Sequence, residues 1–301
     1  MDASVELVKH LSRSIVHIHT SVSREHPSTR HLGDERLGTG VIVDAAGLIL
    51  TVNYVVMGAQ SIDVDFQKGR RAKAEIVAQD FDIGLALLRV KRQGLVAAAL
   101  GASEAVERTQ EIVLVGAMGE QERRVTAGLV TYVGEFEAHW EYLLDRGIVS
   151  NAPNPGYGGG GLFTTMGRLV GTVSLSLNEI SRSSLAIPID CYRAHRDEMM
   201  RYGRIVSRRR RAWLGVFAHV IEEGVVVAEV VPHGPADRGG LQDGDLIVSL
   251  NAQEVVSRRE LYMNLWRHEP GEPLTLEVMR DNKVRRCEVK GGDRAHFFRQ
   301  P

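Results

Sequence analysis

The chain has 301 residues, enough for two domains of ordinary size with a core each. Hydrophobic residues make up 44% and charged residues 25%, and 37 basic against 38 acidic side chains leave a net charge of -1, which excludes a general nucleic-acid binder with its basic excess. No stretch approaches the ~18 apolar residues of a transmembrane helix, and Met1 to Ser14 contains no apolar run of signal-peptide type. Cys191 and Cys287 fall in different predicted domains and read as core thiols rather than a disulfide.

In chain order, Val5 to Ser14 has helical spacing, and Ile15 to His19 alternates as a strand. His17 and His19 share one face of that strand, but no Cys, Asp or Glu completes a metal set nearby in the sequence, so neither a metal nor a cofactor is expected. Ser21 to Arg36 is polar and loop-like, which makes residues 1–36 an N-terminal helix, strand and loop. From Leu37 the texture becomes many short strands. Gly38 to Asp44, Leu48 to Thr51, Ser61 to Phe66, Ala72 to Ala78 and Leu85 to Val90 form one set, with turns at Ala46-Gly47 and Lys68-Gly69. Glu111 to Val115, Arg124 to Val133, Arg146 to Val149, Gly161 to Thr164, Leu169 to Leu175 and Leu185 to Ile187 form a second. Two such groups predict an all-β barrel pair over 37–202, closed by a helix from Asp190 to Arg201. Arg208 to Arg211 reads as a solvated basic linker within 203–211, in preference to an anion-binding patch. A smaller α+β domain spans 212–291, with helices at Pro235 to Gly239 and Ser257 to His268, and 292–301 is a polar tail.

Three segments resemble, in order, the catalytic neighbourhoods of the HtrA/Deg serine proteases. GTGVIVDAAGLILTVNYVV, residues 38–56, is similar to the strand that leads into the family's N-x-H-V-V, and its histidine position is Tyr54. Asp82 to Leu88 resembles T-D-L-A-V-L, with the orienting aspartate at Gly84. Pro155 to Leu162, followed by Gly167 to Gly171, resembles G-N-S-G-G-P-L and its next strand, with the serine position at Gly158. The resemblance covers roughly residues 10 to 290. It implies a mainly β protein, a trypsin-like double six-stranded β-barrel followed by an α+β PDZ domain.

The chemistry of that class needs a hydroxyl, an imidazole and a carboxylate. Gly158 has no side chain, a phenol such as Tyr54 titrates roughly three units too high for a base at neutrality, and Gly84 orients nothing. Loss of one principal member costs about 10⁶ in turnover, so the expectation is a non-enzyme, an HtrA-like pseudoprotease. A register shifted by two makes Asp82 the acid, and Ser150, Thr164 and Thr165 are hydroxyls that could substitute, though none sits beside a histidine in a recognisable motif. The backbone donors of an oxyanion hole, at Gly156 and Gly158, survive in principle, on a glycine run expected to be mobile or collapsed.

Downstream, Arg211 to Val216 resembles the carboxylate-binding loop of HtrA-type PDZ domains, and residues 225–251 match the core of such domains closely through Gly239 to Asn251. The implied ligand is a peptide or protein C-terminus, added as a strand beside Gly215 to Phe217 with its carboxylate on the amides of Leu214, Gly215 and Val216. Arg258 is expected at the mouth of the groove. Leu261 and Leu265 suit either its wall or the core, and Trp213 likewise. The resemblance further implies a homotrimer, or a mixed oligomer with an active paralogue, and favours the periplasm or cell envelope. The functional expectation is a non-catalytic scaffold, chaperone or regulator, with a serine-type endopeptidase using an unorthodox site as the alternative.

Overall fold

The computed structural model describes residues 3–177 and 182–299; the first two residues of the predicted N-terminal segment and the last two of the predicted tail lie outside the described residues. The chain forms two compact units, one running to Glu135 and from Leu144 to Val206, the other made of Phe136–Leu143 and the chain from Ser207 onward.

The first unit opens with α1 (Ala3–Ser12), β1 (Ile15–Val22), α2 (Thr29–Leu32), β2 (Glu35–Asp44), β3 (Leu48–Val52), α3 (Asn53–Val56), β4 (Ala59–Phe66), β5 (Arg70–Asp80) and β6 (Leu85–Val90). Its strands close into a barrel in the order β1-β2-β3-β6-β5-β4. The sequence reading sets a strand at Ile15 to His19 ahead of the barrel domain. In the structure it is the strand that closes the barrel, pairing antiparallel with β2 on one side and β4 on the other. Period-two alternation turns Val16, Ile18, Leu50 and Leu87 into a dry interior where each is fully buried.

The second barrel follows from β7 (Ala99–Leu100), β8 (Glu111–Ala117), β9 (Arg123–Ala138), β10 (Tyr142–Ser150), β11 (Gly161–Thr164), β12 (Arg168–Ser176) and β13 (Ser184–Pro188). The order is β11-β8-β9-β10-β13-β12, closed by β11–β12 pairing, with β7 added parallel to β12. Leu114, Val130, Ile148, Leu162 and Val173 fill it. Strands β9 and β10 run well past their predicted ends at Val133 and Arg146, since the paired hairpin carries the ladder through Gly134. The predicted closing helix is two helices, α4 (Ile189–Arg193) and α5 (Arg196–Tyr202), separated where His195 leaves helical geometry at φ -121° and ψ 9°.

The second unit comprises β14 (Val216–Ile221), β15 (Gly224–Val230), α6 (Pro235–Arg238), β16 (Leu246–Leu250), β17 (Gln253–Glu254), α7 (Arg258–Leu265), β18 (Pro273–Arg280), β19 (Lys283–Lys290) and α8 (Arg294–Arg299). Its sheet runs β14-β15-β16-β18-β19, which leaves β14 at an edge. Helix α7 starts at a reciprocal cap: Ser257 Oγ accepts the Glu260 N–H, and the Glu260 carboxylate accepts the Val256 N–H. The turn Asp243-Gly244-Asp245 is locked by Asp245, fully buried and bridged twice by Arg280 at 2.6 Å. The arginine run is largely exposed, and its side chains have partners. Arg209 pairs with Glu269, Arg210 with Asp293, and the Arg211 guanidinium lies 4.5 Å from the centre of the Trp266 ring. The predicted tail supplies α8, whose Phe297 and Phe298 pack on Trp213 at 4.9 and 5.5 Å between ring centres. Trp266 stacks on Tyr262, and Trp140 lies beside Tyr142.

Candidate functional site

Helix α3 presents Tyr54 from a fixed seat. The buried Arg36 guanidinium donates to the carbonyls of Tyr54 and Met57, each at 2.9 Å, and the Asn53 N–H donates to the Gly84 carbonyl at 2.8 Å. The structure therefore brings the positions of the expected base and acid together through backbone. Gly84 sits in the turn between β5 and β6, where the buried Asp80 carboxylate accepts the N–H groups of Asp82 and Ile83.

The Tyr54 hydroxyl donates to the Ser174 carbonyl at 2.7 Å. It also lies where a side chain on Gly158 would stand, since a Cβ built there would overlap it. Loss of water around the phenol pushes its pKa up to about 12. Next to it the glycine run, expected to be mobile or collapsed, is tied to the strands around it by backbone hydrogen bonds. The Gly158 carbonyl accepts the Thr39 N–H at 2.8 Å, the Gly159 N–H donates to Val173 O, and the Gly160 carbonyl accepts the Val173 N–H, both at 2.7 Å. Gly159 has φ +99°, and a Cβ there would overlap the Thr39 carbonyl, so only glycine fits. Of the expected oxyanion donors, the Gly156 N–H is committed to Asn154 Oδ1 at 3.2 Å.

Sequence reasoning missed a histidine–carboxylate pair in the first barrel. His17 Nδ1 lies 3.1 Å from Asp65 Oδ2, both are buried, and His17 Nε2 has no hydrogen-bond partner among the described residues. Burial works against ionisation of Asp65, but the bonds from Arg71 and His17 outweigh it and hold its carboxyl below the usual range. His17 and Asp65 are cross-strand partners of β1 and β4, a neighbourhood that only the strand register discloses. The substitute hydroxyls are differently placed. Ser150 Oγ is buried without a partner among the described residues, Thr164 Oγ1 accepts the Arg168 N–H at 3.2 Å, and Thr165 is exposed.

In the second unit, the three amides expected to hold a peptide carboxylate already hold one. The Glu141 side chain accepts from Leu214 at 3.0 Å, from Gly215 at 2.7 Å and from Val216 at 3.1 Å. Gly215 adopts φ +81° to aim these donors. Upstream, the Ala218 N–H on edge strand β14 donates to the His139 carbonyl at 2.7 Å, with the His139 ring 5.6 Å from that of Phe217. Arg258 pairs with Glu137 at 3.0 Å. Leu261 and Leu265 are fully buried in the domain core. A second helix residue that reaches the segment is Tyr262, unremarked in the sequence: its hydroxyl donates to the Ala138 carbonyl at 2.6 Å and accepts the Glu141 N–H at 3.0 Å. Trp213 is buried against α8. Burial pushes the Glu141 carboxyl above the ordinary carboxylate range, against the pull of the amides and of Arg294.

Residues 38–171 match the trypsin-like peptidase domain family, and residues 212–290 match the PDZ domain family. A probable periplasmic serine endoprotease DegP-like of Ectopseudomonas mendocina is 30% identical over 89% of this chain and 58% of its own length. The serine endoprotease DegS of Haemophilus influenzae is 29% identical over 84% of this chain and 76% of its own. The chain thus spans little more than half the length of the DegP-like relatives it matches. Among solved structures, the HtrA-type protease AlgW with decapeptide superposes with a TM-score of 0.59 at 25% identity, covering 97% of this chain and 99% of that one. These relatives overturn the expectation of a non-enzyme, since the proteins most of this chain aligns with are named serine endoproteases. The chain is a trypsin-like double β-barrel followed by a PDZ domain, the domain order and architecture of the HtrA-type proteases it is similar to.

Proposed function

We propose that this chain works in protein quality control as a serine-type endopeptidase of the HtrA type, with its PDZ domain as the module that takes hold of polypeptide. The observation that carries this reading is the ordered pair of domains, barrel then PDZ, shared along 84 to 89% of the chain with proteins named serine endoproteases. The geometry constrains how such a protein works. Position 158 offers no hydroxyl, and the Tyr54 phenol, with its pKa near 12, is neutral at physiological pH and engaged with Ser174. The hydrolytic groups in this reading come from positions other than 54, 84 and 158. The chain assembles as a trimer through its barrel domain, alone or with a paralogue, as its resemblance implies.

The test is turnover of an unfolded casein by the purified full chain, together with labelling by a fluorophosphonate and mapping of the labelled peptide. Cleavage with a label inside the barrel unit supports the reading and locates the nucleophile. Absence of both overturns it. Size measurement of the full chain checks the trimer; a monomer rejects it.

A further inference from the structure

The Phe136–Leu143 segment, the tip of the β9–β10 hairpin, belongs to the compact unit of the PDZ domain. This tip lies at the open edge of β14, where a ligand strand would add, and is held there by one backbone bond, from the Ala218 N–H to the His139 carbonyl. Glu141 faces residues 214–216, His139 faces Ala218, and Glu137 faces Arg258, so the segment runs antiparallel to β14. A side-chain carboxylate and a chain-terminal carboxylate present the same two oxygens to the same three amides. Glu141 is 3% exposed and sits at φ +55°, a left-handed turn that points its side chain into the loop while Tyr262 binds both ends of that turn. We propose that the carboxylate-binding loop at Leu214, Gly215 and Val216 takes Glu141 as an internal ligand, so that a polypeptide C-terminus enters the groove only by displacing the hairpin tip. This rests on the PDZ domain being the recognition module of the preceding section.

Competition follows from tethering. The segment is part of the same chain, so its effective concentration at the loop is on the order of millimolar. An external terminus at micromolar concentration therefore needs contacts beyond its carboxylate. A peptide amidated at its C-terminus lacks the group that takes over the three amides. The free loop is a minor state, and the apparent affinity for an external ligand is reduced by the fraction of time the loop is free.

The experiment uses the full chain, as wild type, Glu141→Gln, Glu141→Ala and Glu137→Ala. The probe is a pool of fluorescent decapeptides randomised towards the C-terminus, with either a free or an amidated end. Hydrogen exchange at the amides of Leu214, Gly215 and Val216 is measured alongside. The expected result is that the Glu141 variants exchange at least about tenfold faster at these amides, bind the free-ended pool about 10- to 100-fold more tightly than wild type, and leave the amidated pool unbound. Glu137→Ala, which removes the Arg258 pair and keeps the carboxylate at 141, gives a smaller change in the same direction. Unchanged exchange in every variant overturns the proposal, as does equal free-ended binding by wild type and the Glu141 variants. Faster exchange without preference for the free end keeps Glu141 as the loop's ligand and removes C-terminal recognition as the domain's role, so the two claims fail separately. Should Glu141→Ala unfold the domain, Glu141→Gln, which keeps the shape and removes the charge, decides the matter by the same readings.

Discussion

The Tyr54 hydroxyl and the Gly158 backbone share one space: the phenol, bonded to the Ser174 carbonyl, fills the volume into which any side chain at 158 would project. Changes at the two positions are therefore coupled. Gly158→Ser alone is expected to lower stability by about 1–3 kcal/mol, as overpacking of a closed site does. Combined with Tyr54→Ala, the same serine costs less than the two single changes added together. Denaturant unfolding of the four members of this cycle measures the coupling, and simple additivity would contradict the shared space.

Ionisation of Tyr54 gives a dependence on alkaline pH. An unfolded phenol releases its proton near pH 10, whereas the folded one holds it to about 12. Between these values the unfolded chain has lost a proton that the folded chain keeps, so stability present below about pH 10 declines as pH rises to about 12, by at most about 3 kcal/mol. Tyr54→Phe has no such proton and shows a correspondingly shallower decline. Unfolding midpoints of both proteins across this range, with phenolate absorbance followed in parallel, check the sign and the size.

Tyr262 holds the hairpin tip by a donated and an accepted bond. Tyr262→Phe leaves the Ala138 carbonyl and the Glu141 N–H buried without that partner, at a cost of about 1–3 kcal/mol. The loss is expected in the PDZ unit, with faster amide exchange at residues 138–141. A variant as stable as wild type would mean that the tip is held by other contacts.

Asp245 is fully buried and receives two bonds from Arg280 and one from the Gln242 N–H. Asp245→Ala strands the guanidinium and opens the turn before β16, with an expected loss of about 3 kcal/mol, while Asp245→Asn keeps part of the network and loses less. Thermal unfolding of the two variants should rank them in that order.

Much of the architecture was legible because strand alternation and turn glycines are local. The barrel strands from Gly38 to Val90 lie close to where alternation puts them, and the Gly-Asp turn announces β16. What escaped depends on partners far apart in the chain. Ile15 to His19 reads as a strand by pattern, yet only barrel closure extends it to Val22 and makes it part of the domain. His17 looked isolated because Asp65 reaches it through strand register and not through sequence proximity. Glu141 carries no local mark of a ligand, since its meaning comes from three amides more than 70 positions away in the chain. Phe297 and Phe298 were a readable signal: two adjacent aromatics in a polar tail call for something to cover.

Trp140, Trp213 and Trp266 are all the tryptophans the chain has, and every one belongs to the unit formed by Phe136–Leu143 and the chain beyond Ser207. Indole emission is therefore a spectroscopic window on that unit alone. Loss of the double barrel reaches this probe only through Trp140 at the tip of the β9–β10 hairpin, while melting of the PDZ unit registers in full. A single intrinsic fluorophore set, without label or mutation, thus follows the PDZ unit within the intact polypeptide.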